Sequence, residues 1–419
     1  NNTIYRDDYS TTVGTITGGT TQKCWFLPFD EDTLLVVDPT NNQLWTISDT
    51  HTLTEVTDVD MPGNVVGQQM TGGGVVLDGY VFLATVSGRI YNSALNDPTV
   101  WESELLTAER FPDGLYHLTR QGDHLVAVGG QSIEFFYDAG NTDGSPLQRR
   151  ADLVYNIGAR EFEAITNTGD SIYFLGGENV SNLGIYHIKD YQLERISNTH
   201  MDKWLNDAFH RGGYRAQMSV VHWMSHEFVF ITCVNATTWA PLATYVFDVT
   251  TGNWGLWSTE LDSRDDFHVV DACTQDRAAP GELLMIMGNG HTGRLNADGL
   301  SRDYHEADAG NGENITFSIT TQNYSFGNTG NKFQDRLGLI GGVSVGGSAG
   351  VETVDVEWSD DHYDSWSTAR TIDVSSRSDR RALTRGGMFT ERAYRVSGTT
   401  DYRVALEGLD LNLGVSEYV

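Results

Sequence analysis

The sequence predicts an all-β protein, with a β-propeller-like main domain followed by a C-terminal β-sandwich-like domain. Apolar and β-branched runs of about five to eight residues, such as TLLVVDP, SIYFLGG and EFVFITCV, recur between Gly, Asn and Asp. Turn residues every ~8–12 positions, with almost no 3.6-residue periodicity, are typical of antiparallel strands. A recurring Asp–turn–Trp pattern before residue 300, and a change in composition near that residue, indicate two domains in this all-β chain.

The charge of the chain excludes one large class of proteins. The 419 residues include 57 Asp and Glu but only 27 Lys and Arg, so the formal net charge is −30. Such a charge repels phosphate backbones, and an ordinary DNA-binding domain is therefore excluded. With 10 Trp, 18 Tyr and 17 Phe, the chain has enough apolar surface to fold. No run approaches the ~18–20 apolar residues that a membrane span needs.

Two segments share a hairpin pattern that predicts propeller blades. In 34–48 (LLVVDPTNNQLWTIS) and 244–258 (TYVFDVTTGNWGLWS), an apolar strand ends in Asp, a turn of Thr, Asn or Gly follows, and Trp begins the next strand. The Asp and the turn residues suit a tight hairpin. Divergent hairpins repeated every ~40–50 residues are typical of kelch-like blades, which bury their faces only against neighbouring blades. The pattern favours a propeller over residues 1–300, although a β-sandwich has the same alternation.

One short helix and one boundary interrupt the strands. The segment MDKWLNDAFH at 201–210 is the clearest helical stretch, and Asn198 or Thr199 would cap its N-terminus. The stretch 294–317 is polar and lacks apolar periodicity, so it predicts a linker. Strictly alternating strands beyond it, such as VETVDVEWS and YRVALEGLDLNLG, predict a β-sandwich-like domain over residues 301–419.

No residue set in the sequence points to catalysis or to a cofactor. The three Cys are too scattered for a disulfide framework or a zinc site, and we expect buried reduced thiols at Cys24, Cys233 and Cys273. His222 and His226 have the spacing of a zinc helix, but on one strand they would lie ~13 Å apart. Acidic clusters at 262–266 and 360–364 lack EF-hand spacing and leave calcium binding open. We therefore predict no catalytic, cofactor-binding or metal-binding residues and no enzyme activity.

The hairpin VEWSDDHYDSWSTAR at 356–370 resembles the Asp-box that sialidases repeat on their propeller blades. In such a hairpin the acid bonds the backbone of the turn and the Trp packs beneath it, so the motif supports the fold and supplies no catalytic group. A sialidase would also need an arginine cluster for the substrate carboxylate and a Tyr–Glu pair. A sialidase-like hydrolase of host glycans stays an alternative.

One segment reverses the acidic charge of the chain. Between residues 370 and 403 there are eight Arg and four Asp or Glu, a net charge of +4. Two interpretations remain open: cross-strand ion pairs on a solvated sheet face, or a docking surface for an acidic partner such as a neighbouring copy of the chain. The candidate interface residues are Arg370, Arg377, Arg380, Arg381 and Arg385.

A long ordered set of motifs connects the chain with one family. In chain order the first motifs are Arg89 and Tyr91, Ser93, Asp97-Pro98, Trp101, the turn from Pro112 to Gly114 and the strand from Ser132 to Tyr137. The order continues through SIYFLGG, GIYHI and ERISN to the hairpin with Asp360, Asp361 and Trp366 and the final strand LEGLDLNLG. In this pattern the chain resembles the packaged-DNA stabilisation proteins of short-tailed phages, also called tail hub or nozzle proteins.

The resemblance implies a structural protein of the virion and no enzyme. Members assemble as rings below the portal and its adaptor, and they extend or plug the channel through which the genome leaves. For this chain the resemblance implies a homohexamer in the short tail, assembled in the host cytoplasm. Its partners would be the portal–adaptor, a tail fibre or tailspike, and needle or plug proteins. Genomic DNA would pass through without tight binding, since an acidic wall repels phosphates.

The alternative function is that of a tail protein whose propeller binds or cleaves host saccharides. Such a protein exposes aromatic rings in a groove, and the residues open to this role are Trp223, Trp239, Trp254 and Trp257. The other role open to the same residues is packing between blades.

Overall fold

The chain is almost entirely β-structure. The computed structural model describes residues 3–5, 11–18, 23–108, 111, 113–141, 144–177, 182–210, 212–223, 225–257, 269–275, 282–287, 292–295, 302–303, 313–327, 330–343, 353–374, 382–400 and 404–415. Within these ranges strands dominate and one helix forms, which confirms the predicted all-β class.

Contacts within the chain divide it into two units. Residues 1–258 and 266–295 belong to the first, and residues 259–265 and 296–419 to the second. The predicted boundary between residues 300 and 301 lies outside the described residues.

The first unit consists of six consecutive sheets in the described part of the chain, which we call blades 1 to 6. A hairpin of β1 (Thr3–Tyr5) and β2 (Thr12–Thr15) precedes them. Blade 1 consists of β3 (Trp25–Pro28), β4 (Thr33–Asp38), β5 (Gln43–Ser48) and β6 (Leu53–Glu55). After the short strand β7 (Gly72–Gly73), blade 2 consists of β8 (Val75–Leu77), β9 (Tyr80–Ala84), β10 (Arg89–Ala94) and β11 (Asp97–Thr107).

Blades 3 and 4 continue the same antiparallel order. Blade 3 consists of β12 (Leu115–Gln121), β13 (His124–Gly129), β14 (Ile133–Asp138) and β15 (Leu147–Tyr155), and β7 pairs in parallel with β12. The first strand of blade 4 is split into β16 (Gly158–Ala159) and β17 (Ile165–Asn167), both paired with β18 (Ser171–Gly177). The blade ends with β19 (Gly184–Lys189) and β20 (Gln192–Arg195).

The helix α1 (Thr199–His210) lies between blades 4 and 5 in the sequence. Blade 5 consists of β21 (Tyr214–Trp223), β22 (His226–Asn235), β23 (Pro241–Asp248) and β24 (Asn253–Trp257). The described strands of blade 6 are β25 (Val269–Gln275), β26 (Glu282–Met287) and β27 (Thr292–Leu295).

Each blade buries its faces against its neighbours, as a propeller requires. Neighbouring residues of one strand point to opposite faces, so they enter the hydrophobic clusters on the two sides of their blade. In blade 4, for example, Phe174 packs towards blade 3 and Leu175 towards blade 5. The residue pairs across the five junctions are Leu35 with Leu83, Phe82 with Leu125, Val126 with Phe174, Leu175 with Ile231, and Phe230 with Leu283.

Both Asp–turn–Trp hairpins form as predicted, but they occupy different places in their blades. Asp38 Oδ1 accepts the backbone N–H of Thr40 at 2.9 Å, and Asp248 Oδ1 accepts that of Thr250 at 3.0 Å. The first hairpin joins the second and third strands of blade 1, whereas the second joins the third and fourth strands of blade 5. The shared pattern therefore identifies a local turn, and it does not occur between the same two strands in the two blades.

Helix α1 confirms the predicted helix and extends it by two residues at its start. Asn198 caps it, because its Oδ1 accepts the backbone N–H of Met201 at 2.9 Å. Met201, Leu205 and Phe209 lie one turn apart on one face and enter the cluster shared by blades 4 and 5.

The second unit is a β-sandwich of two sheets, as predicted. Its strands are β28 (Arg302–Asp303), β29 (Glu313–Thr320), β30 (Lys332–Val343), β31 (Thr353–Ser359), β32 (Arg370–Asp373), β33 (Ala382–Phe389), β34 (Ala393–Thr400) and β35 (Val404–Val415). The larger sheet has the order β28-β29-β34-β31-β32, and the smaller one β33-β30-β35. Leu337 and Leu339 of the smaller sheet pack against Val354, Val356 and Val396 of the larger one.

No helix in the described ranges has the length and apolarity that crossing a membrane requires.

Candidate interaction surfaces

The first strands of the blades lie next to one another in the first unit. β12 contacts β17, β17 contacts β21, and β21 contacts β25. At this centre, polar residues from different blades meet. We call them the axial cluster: Lys23, His117, Glu163, Gln217 and Asp271.

Direct hydrogen bonds and an ion pair join the residues of the axial cluster. The backbone N–H of Lys23 donates to Glu163 Oε1 at 2.8 Å, and Gln217 Nε2 donates to Glu163 Oε2 at 2.7 Å. Lys23 precedes blade 1 and Glu163 lies in blade 4, so these bonds join the segment before blade 1 to blades 4 and 5. Lys23 Nζ also pairs with Asp271 Oδ2 of blade 6 at 3.0 Å, so the first and last blades are joined by an ion pair.

Two side chains at this centre, His117 and Cys24, are held in their neutral forms. Burial, reinforced by the charge of Lys23, lowers the pKa of His117 to about 3, so this imidazole stays neutral. Burial, together with Asp38 and Glu163, raises the pKa of Cys24 to about 12. A thiol with such a pKa is not a nucleophile at neutral pH.

The cysteines and histidines named from the sequence form no metal or catalytic centre in the described residues. Cys24 and Cys233 are free thiols, and burial raises the pKa of Cys233 to about 12; the Cys273 side chain lies outside the description. No group of three or more His, Cys, Asp or Glu within these ranges is arranged to hold a metal ion.

His222 and His226 do not share a strand, contrary to the expectation from the sequence. Trp223 pairs with His226 across β21 and β22, so His222 lies near the end of β21 and His226 begins β22. His222 Nε2 is 3.3 Å from Glu227 Oε2, and His226 Nδ1 is 2.8 Å from Asp248 Oδ2. Each imidazole thus has its own carboxylate partner.

Three of the four tryptophans considered for a saccharide groove pack against other aromatic or apolar residues of the propeller. Trp254 lies 4.7 Å from Phe247, between ring centroids, and its Nε1 donates to Ile196 O at 3.0 Å. Trp223 and Trp257 pack in the cluster between blades 5 and 6. Trp239 lies under the guanidinium of Arg215, 5.5 Å from its ring centroid. Packing within the propeller accounts for Trp223, Trp254 and Trp257, whereas Trp239 is half-buried in the connection between β22 and β23.

The predicted arginine interface is only partly within the described residues. Arg377, Arg380 and Arg381 lie outside them. Arg370 is half-buried, and its Nη1 donates to Thr384 O at 2.8 Å. Arg385 is exposed in β33, with a φ of 60°.

Two further arginines of the same segment form internal ion pairs, which supports the cross-strand interpretation for these positions. Arg395 pairs with Glu357, its direct neighbour across β31 and β34, at 2.7 Å. Arg392 is 1% exposed, and its guanidinium makes a bidentate pair with Asp360 at 2.6 and 2.7 Å. Sequence reasoning did not single out Arg392, because nothing in a run of arginines tells which one is buried.

The Asp-box-like hairpin has the structural role that the sequence predicts. Asp361 Oδ1 accepts the backbone N–H of Ser365 at 2.9 Å and the hydroxyl of Ser359 at 2.7 Å. These hydrogen bonds, foremost the one from the Ser365 hydroxyl to Oδ2, lower the pKa of Asp361 to about 2. The carboxylate therefore stays ionised and holds the turn.

A family model described as "Bacteriophage P22 Gp10, beta-propeller" matches residues 3–280 of the chain. The chain is also similar in structure to a streptogramin B lyase, with 10% identity and a TM-score of 0.40, over 68% of this chain and 85% of that one. The virginiamycin B lyase of Staphylococcus aureus follows with 11% identity and a TM-score of 0.38, over 67% and 86%. The computationally designed Ika8 protein has 9% identity and a TM-score of 0.39, over 70% and 89%. No curated protein matches the chain.

Proposed function

The chain belongs to the phage stabilisation family of the P22 Gp10 β-propeller, and from this membership we propose that it forms the ring-shaped nozzle, or hub, of a short phage tail. Membership makes it a structural protein of the bacteriophage virion that stabilises packaged DNA. In our proposal six copies assemble in the host cytoplasm below the portal–adaptor complex. The ring extends the DNA exit channel and helps to close it.

The family match over residues 3–280 is the observation that carries this proposal. The axial cluster bears on where DNA runs. Since polar residues of different blades bond one another at the centre of the propeller, DNA would pass beside the propeller, along a channel that the copies enclose together. A tail fibre or tailspike and a needle or plug protein are further proposed partners.

The charge of the chain suits a channel wall. With a formal net charge of −30 per copy, the protein repels phosphate groups, so DNA that moves along the channel would meet few attractive contacts. The same charge opposes association of the copies and has to be offset where they touch. The arginine segment, with Arg370, Arg377, Arg380, Arg381 and Arg385, is the part of the chain that we propose for this contact.

Native mass spectrometry of the purified protein, alone and with portal–adaptor complex, tests the proposal. We expect a closed ring of about six copies, formed either alone or on the adaptor. A stable monomer that ignores the adaptor would contradict it.

The arginine contact has its own test. The double charge reversal Arg380→Glu with Arg381→Glu should reduce ring formation while the circular-dichroism spectrum and the unfolding midpoint stay unchanged, because it acts on association. The double substitution by Lys keeps the charge and is the matched control. Normal ring formation by the charge-reversed protein would rule out this contact.

A further inference from the structure

At one end of the β-sandwich unit, three loops bring aromatic side chains to the surface. The loops are 321–327, 360–367 and 389–392. Tyr324, Phe326 and Tyr363 are 39, 39 and 43% exposed. The rings of Tyr324 and Phe326 lie 5.5 Å apart, between centroids. We call these three residues, with Asp364 and Glu391, the aromatic end.

Hydrogen bonds join the three loops into one surface. Asn323 Nδ2 donates to Glu391 Oε2 at 3.0 Å and to His362 Nδ1 at 2.8 Å. The Tyr363 hydroxyl donates to Thr321 O at 3.2 Å. The aromatic end is therefore a connected surface with a fixed arrangement.

Two of the exposed rings stand on backbone that favours glycine. Phe326 has a φ of 51° and Tyr363 a φ of 74°. Bulky residues are costly in this left-handed region, where glycine is at ease. Neither ring gains full burial in return, since both are more than a third exposed. An observed backbone strain that holds exposed side chains indicates that the rings serve something other than folding.

The charge around the rings selects the chemistry of the partner. The three loops contain Asp360, Asp361, Asp364 and Glu391, and their single Lys or Arg is Arg392, which is buried in its pair with Asp360. Carboxylates beside aromatic faces attract cations. A guanidinium fits best, because it stacks on a ring with its plane and binds a carboxylate with its edge.

The same unit uses this arrangement twice in its own fold. The Arg395 guanidinium lies 4.2 Å from the ring centroid of Trp366 and pairs with Glu357 at 2.7 Å. The Arg392 guanidinium lies 4.1 Å from the ring centroid of Phe389 and pairs with Asp360 at 2.6 Å. The aromatic end offers rings and carboxylates of the same kind at the surface.

We propose that the aromatic end binds the arginine segment of a second copy of the chain. Charge complementarity favours this occupant, because residues 375–385 include four Arg and one Asp, a net charge of +3 in a chain of −30, and Arg385 among them is exposed. A contact between two different surfaces of the same chain is heterologous and closes into a ring when the rotation permits. This inference rests on the proposed ring and names the surface that the arginines meet.

The test uses a fluorescein-labelled peptide with the sequence of residues 375–385, SSRSDRRALTR, and the full chain. Fluorescence anisotropy should show saturable binding of this peptide. A peptide with Lys at each Arg keeps the charge but loses the planar guanidinium, so it should bind several-fold more weakly. A peptide with Gln at each Arg should not bind.

The variants Tyr363→Gly and Phe326→Gly separate binding from folding. Each should weaken peptide binding by about tenfold, because it removes a stacking ring. Each should leave the thermal unfolding midpoint nearly unchanged, because the relief of backbone strain by glycine offsets the contacts that are lost, such as the hydrogen bond from Tyr363 to Thr321 O. The control Ile340→Ser removes an exposed apolar side chain of β30 outside the three loops and should leave binding unchanged.

The outcomes that overturn the inference differ from those that overturn the ring. Failure of the monomeric wild-type chain, in which no neighbouring copy occupies the aromatic end, to bind the arginine peptide up to about 1 mM, the weakest affinity that would matter here, would refute it. So would normal binding by Tyr363→Gly, since the ring would then take no part in binding. A closed ring observed together with any of these results would leave the proposed function standing.

Discussion

Arg392 shows how one side chain fixes a loop of the β-sandwich unit. Its guanidinium forms an ion pair with Asp360 and lies over the ring of Phe389. It also donates to Gln334 Oε1 at 2.8 Å and to Gly386 O at 2.7 Å. Four hydrogen bonds from this guanidinium compensate for the burial of its charge. The hairpin that carries the Asp-box-like turn is attached to the sandwich through this residue.

We therefore expect Arg392→Met to lower the free energy of unfolding of the sandwich unit by about 2 kcal/mol, because Asp360 and the Gly386 carbonyl lose their donor, while Gln334 Oε1 keeps the Tyr394 hydroxyl. Arg395→Met is the matched control, since the Arg395 side chain is 31% exposed and its pair with Glu357 should be worth ~1 kcal/mol or less. Urea unfolding followed by Trp fluorescence measures both. Equal losses for the two variants would contradict the distinction between a buried and a solvated pair.

Asp361 should make the stability of the turn depend on pH. Its folded-state pKa of about 2 lies below the ordinary value of 3.8. The stabilisation is therefore complete above about pH 4 and is lost as the pH falls towards 2. Unfolding midpoints between pH 2 and pH 5 should fall more steeply for the wild type than for Asp361→Asn. Parallel pH profiles of the two proteins would show that the carboxylate is not held as the hydrogen bonds indicate.

Helix α1 depends on its first residues and on one apolar face. The side chain of Asn198 accepts the backbone N–H of Met201. On one face of the helix, Met201, Leu205 and Phe209 pack into the hydrophobic cluster between blades 4 and 5. Loss of this helix would therefore destabilise the packing of both blades.

Asn198→Ala should destabilise the propeller unit by about 1 kcal/mol, whereas Asn198→Asp, which keeps an acceptor at the cap, should cost a few tenths or less. Chemical denaturation with far-ultraviolet circular dichroism measures the difference. A loss of the same size in both variants would mean that the position acts through something other than the cap.

The sequence predicts elements that depend on neighbouring residues, but it does not predict contacts between distant blades. The helix was predictable because its cap and its apolar spacing are contiguous, and the hairpins because Asp38 and Asp248 bond their own turns. The axial cluster was not, because each blade contributes a different residue type, so Lys23 and Glu163 share no pattern. The buried position of Arg392 was equally hidden, since burial depends on which strands pair.

At the scale of the whole propeller, closure rests on polar contacts between the ends of the described ring. The segment before blade 1 bonds blade 4 through Glu163 and blade 6 through the Lys23–Asp271 ion pair. Among the described residues, this ion pair joins the first and last blades, whereas the other five junctions contain shared hydrophobic clusters, so we expect the first and last blades to separate first.

Glu163→Ala should consequently destabilise the propeller by about 3 kcal/mol, since it leaves the Lys23 N–H and the Gln217 amide without their acceptor and opens a small cavity. Glu163→Gln keeps the shape and one acceptor, so it should cost roughly 1 kcal/mol. Amide hydrogen exchange locates the effect: β3 and β25 should exchange faster in Glu163→Ala, while β13 and β14, inside the ring, should change little. The control Glu194→Ala, on the exposed strand β20, should alter neither. Uniform acceleration across all blades would show that the axial cluster stabilises the propeller as a whole and does not act as its closure.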